Sequence, residues 1–226
     1  MEKNKISLQI EKNFLPRHVA FIMDGNRRWA KEQGKNIAQG HFAGVENLEK
    51  IIQNCIDFDI KIVTFFMFSI ENWNREKNEV SNLLKIFEDK IDSNSLEKQE
   101  VTLKFVGNLA MLPRKLLEKV QKINIKNEQK ISKISVNLAI SYSGQDEILR
   151  AQKIANSENL SNFLDIQEPV DLLIRTGGEM RISNFLLWQT AYTELFFSHI
   201  KWPEFDYYCF LEALCSFINR KRRYGL

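Results

Sequence analysis

Six short apolar runs punctuate the chain, and helical spacing follows nearly every one of them. His18 to Met23 (HVAFIM) and Lys61 to Phe68 (KIVTFFMF) read as buried strands. Further strands are expected at Val101 to Val106, Ser132 to Ile140, Val170 to Ile174 and Glu194 to Phe197. Between them, Gly40 to Phe58 places Val45, Leu48, Ile51, Ile52, Cys55 and Ile56 on one helical face. Val80 to Glu100 does the same with Leu83, Leu84, Phe87 and Ile91. Arg27 to Gly34, Pro113 to Lys126, Gln145 to Ala155 and Phe205 to Arg220 are the other expected helices. Strands alternating with helices predict an α/β fold around a central, mainly parallel six-stranded sheet. Its crossovers are right-handed, and its ligands bind at the carboxyl ends of the strands.

The 226 residues carry only four prolines and nine glycines, and no Ser/Gly/Pro-rich linker divides them. One domain over residues 1–226 is expected, with 1–17 as an N-terminal extension. Its composition, 44% hydrophobic and 27% charged, excludes a disordered or fibrous chain. No apolar run reaches the ~18 residues of a spanning helix, and the N-terminus lacks a signal-peptide core, so a cytosolic protein is expected. Cys55, Cys209 and Cys215 do not have metal-ligand spacing and read as reduced packing residues. A net charge of +3 does not argue for nucleic acid as a partner.

The segments just past the strand ends are therefore where functional groups are expected. After the first strand come Asp24, Gly25, Asn26, Arg27, Arg28 and Trp29. Gly25 lets a backbone turn approach a ligand, and a helix start bearing two arginines suits phosphate. Asp24 has two readings there, an ion pair or a ligand to a divalent cation such as Mg²⁺ lying between it and phosphate. After the second strand come Ser69, Ile70, Glu71, Asn72, Trp73, Asn74 and Arg75, either a polar loop or a second cluster of functional groups. After the fifth come Arg175, Thr176, Gly177, Gly178, Glu179, Arg181, Ile182 and Ser183. The paired glycines could form an anion nest there, with Arg175, Arg181 and Ser183 gripping phosphate. His41 could be a capping residue or a functional one. Glu194, in an apolar run, pairs with an arginine or binds a metal.

These segments together resemble the cis-prenyltransferase family, and in particular its bacterial undecaprenyl diphosphate synthases. The resemblance rests on His18 to Ala30, on Gly40-His41 with Gly44, and on Phe68 to Arg75. It continues through Asp171 to Glu179, Arg181 to Gln189, Tyr192, Glu194, Trp202-Pro203 and the end from Arg220 to Gly225. It implies repeated condensation of isopentenyl diphosphate onto an allylic diphosphate, farnesyl diphosphate, with a new cis double bond each time. The product would be undecaprenyl diphosphate, the lipid carrier for cell-wall precursors, passed from a cytoplasmic enzyme to the membrane. By resemblance, Asp24 holds Mg²⁺ on the allylic diphosphate and Glu194 is a second metal contact. Gly25, Asn26, Arg27 and Arg28 cradle that diphosphate. Arg175, Arg181 and Ser183, beside Ile182, hold isopentenyl diphosphate. Asn72 is the family's candidate for taking the lost proton, with His41 and Ser69 nearby. Trp29, Ile70, Glu71, Trp73 and Arg75 shape the pocket, and the amphipathic helices line an apolar tunnel. A homodimer is implied, joined through the C-terminal third.

The chain departs from the family pattern at two places. Ile37 stands where the family usually has an arginine, with Lys35 as the nearby cation. Ser141-Tyr142-Ser143-Gly144-Gln145 replaces a stretch that usually carries a second glycine and an arginine. Two other classes compete. A phosphatase using Asp24 as nucleophile lacks a second acid at the usual spacing. An inactive binding partner would have lost Asp24 or the set from Arg175 to Ser183, and both are present.

Overall fold

The computed structural model describes residues 14–93, 100–155 and 158–222. Most of the expected N-terminal extension, the end of the helix expected to reach Glu100, and the tail from Arg223 lie outside the described residues.

Six strands form one sheet: β1 (His18–Ile22), β2 (Ile62–Ser69), β3 (Val101–Val106), β4 (Ile134–Tyr142), β5 (Leu172–Arg175) and β6 (Glu194–Phe197). Their spatial order is β3-β4-β2-β1-β5-β6, and every neighbouring pair is parallel. The expectation of a mainly parallel sheet is met without exception. The helices are α1 (Asn26–Glu32), α2 (Ile37–Asp57), α3 (Lys77–Asp92), α4 (Arg114–Asn127), α5 (Gly144–Ala155) and α6 (Tyr207–Ile218).

Every residue of β1 is buried, because both sheet faces are covered. Phe21 points into the larger core, stacks on Phe65 at 5.3 Å and meets Phe210 of α6 at 5.7 Å. Burying each such ring contributes about 1.5–3 kcal/mol. Ala20, Ile22, Leu173 and Tyr142 face the other side, where Phe185 stacks on Phe66 at 4.4 Å.

Capping chemistry explains where helix bounds differ from the periodicity. α2 starts at Ile37 rather than Gly40, because Asn36 and Gln39 form a reciprocal capping box. α6 waits until Tyr207, because Asp206 caps it by accepting from the Cys209 amide. The preceding residues Trp202–Glu204 make a separate 3-10 turn. Asn47, buried in α2, ties that turn down by donating to the carbonyls of Trp202 and Phe205 at 2.7 and 2.9 Å.

A polar chain crosses the sheet at its amino end. Thr64 Oγ1 accepts from Asn137 Nδ2 at 3.1 Å and lies 2.8 Å from His18 Nε2. His18 Nδ1 lies 3.1 Å from the Pro169 carbonyl, which can only accept. The network therefore assigns a neutral ring protonated at Nδ1, with the Thr64 hydroxyl donating to Nε2. Burial lowers the His18 pKa below 6.5, so the unfolded chain takes up this proton before the folded one does. Stability should therefore fall as pH drops through about 6.5, until the lowered folded value is passed. Urea midpoints between pH 7.5 and 5 should show this slope, and His18→Gln should flatten part of it.

Candidate active site

A cleft of about 1570 Å³ opens over the carboxyl ends of β1, β2 and β5. This is the face on which parallel sheets present their ligand sites. Asp24, Gly25, Asn26, Arg27 and Arg28 line it from the β1 end, with His41, Gly44, Val45 and Leu48 from α2. Ser69, Glu71, Asn72 and Arg75 come from the β2 end, Glu79, Leu83 and Phe87 from α3. Arg175, Ser183 and Asn184 close it on the β5 side.

Asp24 is the joint between two of these groups. Its Oδ1 lies 3.1 Å from Arg28 Nη2, and its Oδ2 accepts from Arg175 Nη2 at 3.0 Å. Arg175 is almost fully buried and also donates to Ser183 Oγ at 2.7 Å and to the Arg181 carbonyl at 2.6 Å. Arg28 donates to the Gly177 carbonyl at 2.6 Å. Thr176 Oγ1 donates to the Asp24 carbonyl at 2.7 Å, which stitches the β1 and β5 ends together.

Close approaches around this carboxylate need glycine. Gly25 has φ 110°, and a Cβ there would sit 2.8 Å from Lys201 Cβ. At Gly44 a Cβ would sit 2.6 Å from Asn26 Oδ1, so any side chain there would displace the Asn26 amide. That Asn26 oxygen is buried without a hydrogen-bond partner in the protein.

The expected nest at Gly177 and Gly178 is not formed. Both amides are already committed, Gly177 to the Ile200 carbonyl at 2.8 Å and Gly178 to that of Ser198 at 2.9 Å. They extend the pairing of β5 with the chain after β6. Gly177 instead leaves room for Arg28, whose Nη2 would lie 2.8 Å from a Cβ there.

Several expected residues stand behind the cleft wall. Trp29 Nε1 donates to Glu204 at 2.9 Å, and Lys35 Nζ sits 4.7 Å from its ring, at the rim beside Ile37. Trp73 Nε1 donates to Ser141 Oγ at 3.0 Å, and its ring packs edge-on against Phe68. Ile70 opens the 3-10 turn Ile70–Asn74, and Ile182 packs on the smaller core. The exposed Arg181 side chain pairs with Glu179 at 2.6 Å.

Glu194 is not brought to Asp24. It opens β6 opposite Leu172, three residues before the register partner of Arg175. At ~3.3 Å per residue that is about 10 Å short of the cleft end of the sheet. Its carboxylate pairs with Arg220 at 2.8 Å, the first of the two readings open to it.

Asn72 and Ser69 lock each other in a capping box, in which Asn72 Oδ1 accepts from the Ser69 amide at 3.2 Å. Glu71 has a carboxylate pKa below its ordinary value. Desolvation works against that shift, while hydrogen bonds from its own backbone, Ser69 and Asn184 outweigh it. Burial lowers the His41 pKa, opposed by its contact with Glu79, so the ring is neutral near pH 7. Glu79 and Asn184 were not singled out by sequence. The available signals were an acid in the first turn of α3 and an asparagine beside Ser183.

Strongly basic groups from separate strand ends, beside a deep apolar wall, define an enzyme for anionic substrates with long apolar tails. The family model described as "Putative undecaprenyl diphosphate synthase" matches residues 22–225. Cis-prenyltransferase 4, chloroplastic, of Solanum lycopersicum is 41% identical over 99% of this chain and 79% of its own length. The farnesyl-diphosphate-specific ditrans,polycis-undecaprenyl-diphosphate synthase of Wigglesworthia glossinidia brevipalpis is 42% identical over 93% of this chain and 87% of its own. Lavandulyl diphosphate synthase from Lavandula x intermedia, crystallised with dimethylallyl diphosphate, superposes with a TM-score of 0.86 at 32% identity, covering 95% of this chain and 100% of its own. The chain belongs to the cis-prenyltransferase family, among the polyprenyl diphosphate synthases.

The Asn26–Gly44 contact gives a direct test of the site. Gly44→Ala should push Asn26 aside, lowering stability by about 1–3 kcal/mol as overpacking does. Prenyl transfer should fall further than that loss explains, as read by thermal melts and turnover on one preparation.

Proposed function

We propose that this chain condenses isopentenyl diphosphate repeatedly onto farnesyl diphosphate, leaving a cis double bond at each step and ending at undecaprenyl diphosphate. One observation carries the reading. A single cleft joins two guanidinium clusters, meeting at Asp24, to an apolar wall of Val45, Leu48, Leu83 and Phe87. Two diphosphates and one growing hydrocarbon tail need that combination.

In this reading Gly25, Asn26, Arg27 and Arg28 hold the allylic diphosphate, and Arg175 and Ser183 hold isopentenyl diphosphate, joined by Arg181 once its side chain leaves Glu179. The carbon–oxygen bond of the allylic substrate breaks as the new carbon–carbon bond forms. Diphosphate leaves with the electron pair, and the guanidiniums stabilise the charge that develops on it. The condensing unit then loses a proton. Asn72 orients this step and is not the base, since an amide is too weak and its oxygen already accepts the Ser69 amide. The proton goes to a diphosphate oxygen. Each added unit slides apolar carbon along the wall, at roughly 0.8 kcal/mol per buried CH₂.

The donor set fits Mg²⁺. No group of three His, Cys, Asp or Glu side chains that could hold a metal occurs among the described residues. Asp24, aimed into an arginine cradle, suits a cation that takes one or two carboxylates and completes its shell with phosphate oxygens and water. When bound, Mg²⁺ would neutralise charge on the leaving diphosphate; Asp24 is the residue that would hold it. Glu194, at the far end of its strand, does not share that cation within one chain. An in-line nucleophilic role for Asp24, as in a phosphatase, would leave the apolar wall of Val45, Leu48, Leu83 and Phe87 without a use.

The reading includes a homodimer, supported by exposed Met180, Trp188 and Tyr192 on the segment leading to edge strand β6. It also includes work in the cytoplasm with product handed to the membrane. No helix among the described residues is long and apolar enough to cross one.

Incubation with farnesyl diphosphate, radiolabelled isopentenyl diphosphate and Mg²⁺ should give long polyprenyl products and release diphosphate, not phosphate. A chelator should stop both. Asp24→Ala should cut turnover about 100- to 1000-fold, the scale of losing a preorganised electrostatic group. Near-normal extension by that variant would overturn the mechanism.

A further inference from the structure

An acid has no evident place on the wall of a diphosphate site, yet Glu79 stands on this one. Its side chain is only 10% exposed, and one oxygen, Oε1, collects three groups. Arg75 Nη1 donates to it at 3.1 Å, His41 Nε2 lies 3.4 Å away and Arg27 Nε 3.9 Å away. The three arrive from different elements: Arg27 from α1, His41 from α2, and Arg75 from the end of the 3-10 turn after β2. All four residues line the cleft.

Helix chemistry alone does not account for this. Glu79 sits in the first turn of α3, where an acid complements the helix dipole. That role needs no partners, and a carboxylate serving it can point to water. Arg75 is not part of a helix, having extended backbone at φ −70° and ψ 170°, so this is no ordinary helix-surface pair. The contact also fixes His41, whose Nε2 can donate only if it carries the ring proton.

We propose that Glu79 is a positioning residue of the cleft, its Oε1 holding Arg75, His41 and Arg27 to one wall. The proposal rests on the prenyl-transfer reading and adds to it a residue that touches no substrate. An acid next to an anion site works against binding by its charge alone. Glu79 therefore acts through the geometry it imposes on three side chains. Removing its charge while keeping its shape separates the two effects, because they have opposite signs. Simple neutralisation predicts tighter diphosphate binding and unchanged chemistry. Positioning predicts slower chemistry.

The test is Glu79→Gln, with Glu79→Asp as a second variant that keeps the charge but shortens the reach. Kinetics with farnesyl and isopentenyl diphosphates should show kcat down about tenfold or more in Glu79→Gln, the cost of loosening charged hydrogen bonds. KM should stay within about threefold, as the lost ordering and the lost repulsion offset each other. Glu79→Asp should lose activity too, despite its charge. The second readout needs no turnover. Glu79 raises the His41 pKa against burial and the repulsion of Arg75 and Arg27. The His41 ring titration, followed by NMR, should therefore shift to lower pH in Glu79→Gln. Unchanged kcat with a lower KM, or an unmoved His41 titration, overturns the proposal. A wild-type chain that extends no allylic diphosphate overturns the functional reading instead, and the titration still judges Glu79.

Discussion

The double grip on Asp24 is the constraint on which the site is built. Arg28 comes from the helix after β1 and Arg175 from the end of β5, 151 residues further along the chain than Asp24. Their common carboxylate lets two guanidiniums stand close together, one of them almost fully buried. Like charges so placed would otherwise repel strongly in a medium less polar than water. The Thr176 hydroxyl on the Asp24 carbonyl and the Trp202 amide on the same oxygen fix the backbone around that carboxylate. An arriving diphosphate finds cations already gathered, and needs only to take over part of what Asp24 supplies.

The segment that carries Ser183, beside Arg175, is anchored by a second carboxylate. Glu147 is buried, and burial pushes its pKa up despite hydrogen bonds from Tyr142 and Gln189. Tyr142 donates to it at 2.5 Å and Gln189 Nε2 at 3.1 and 3.2 Å. Those contacts join the end of β4 to the segment bearing Ser183 and Asn184. That segment holds φ values of 48° at Ser183, 61° at Asn184 and 46° at Leu186. Side chains rarely adopt such a backbone, and it persists where the surroundings over-determine it. Asn184 then reaches Glu71 at 3.1 Å and Ser143 at 2.7 Å. Asn184 thus ties the loop after β2 to the loop after β5.

Much of this was legible in the residues, for identifiable reasons. β1 could be read almost to the residue, because a strand covered on both faces is a continuous apolar run; β3 and β6 also keep their expected bounds, β3 by alternating buried and more exposed residues and β6 as a half-buried edge. Asp24, Arg28 and Arg175 were legible because parallel sheets place ligands after their strands. What was not legible depends on contacts between distant segments. The amides of Gly177 and Gly178 are taken up by carbonyls near residue 199, so a local nest signal misled. Glu194 follows the Arg175 to Ser183 set in the chain, but it pairs with Leu172 at the start of β5, not with Arg175 at its end. Trp29 and Trp73 buttress the cleft from behind, a distinction that spacing does not carry. Nothing local in the sequence marks Glu79, because its three partners come from separate elements that only the fold brings together.

The strand order has a consequence for how the chain is made. β1 is buried along its whole length, yet its two neighbours are produced at very different times. β2 comes soon after it, while 153 residues separate His18 from Asp171 at the start of its other flank. At a synthesis rate of ~5–20 residues per second, that interval lasts roughly 8 to 30 s. Throughout it, the nascent chain carries an apolar strand with one open edge, the arrangement that invites pairing with a foreign strand. The central position that buries β1 on both faces and both edges in the finished protein leaves one of its edges open longest during translation.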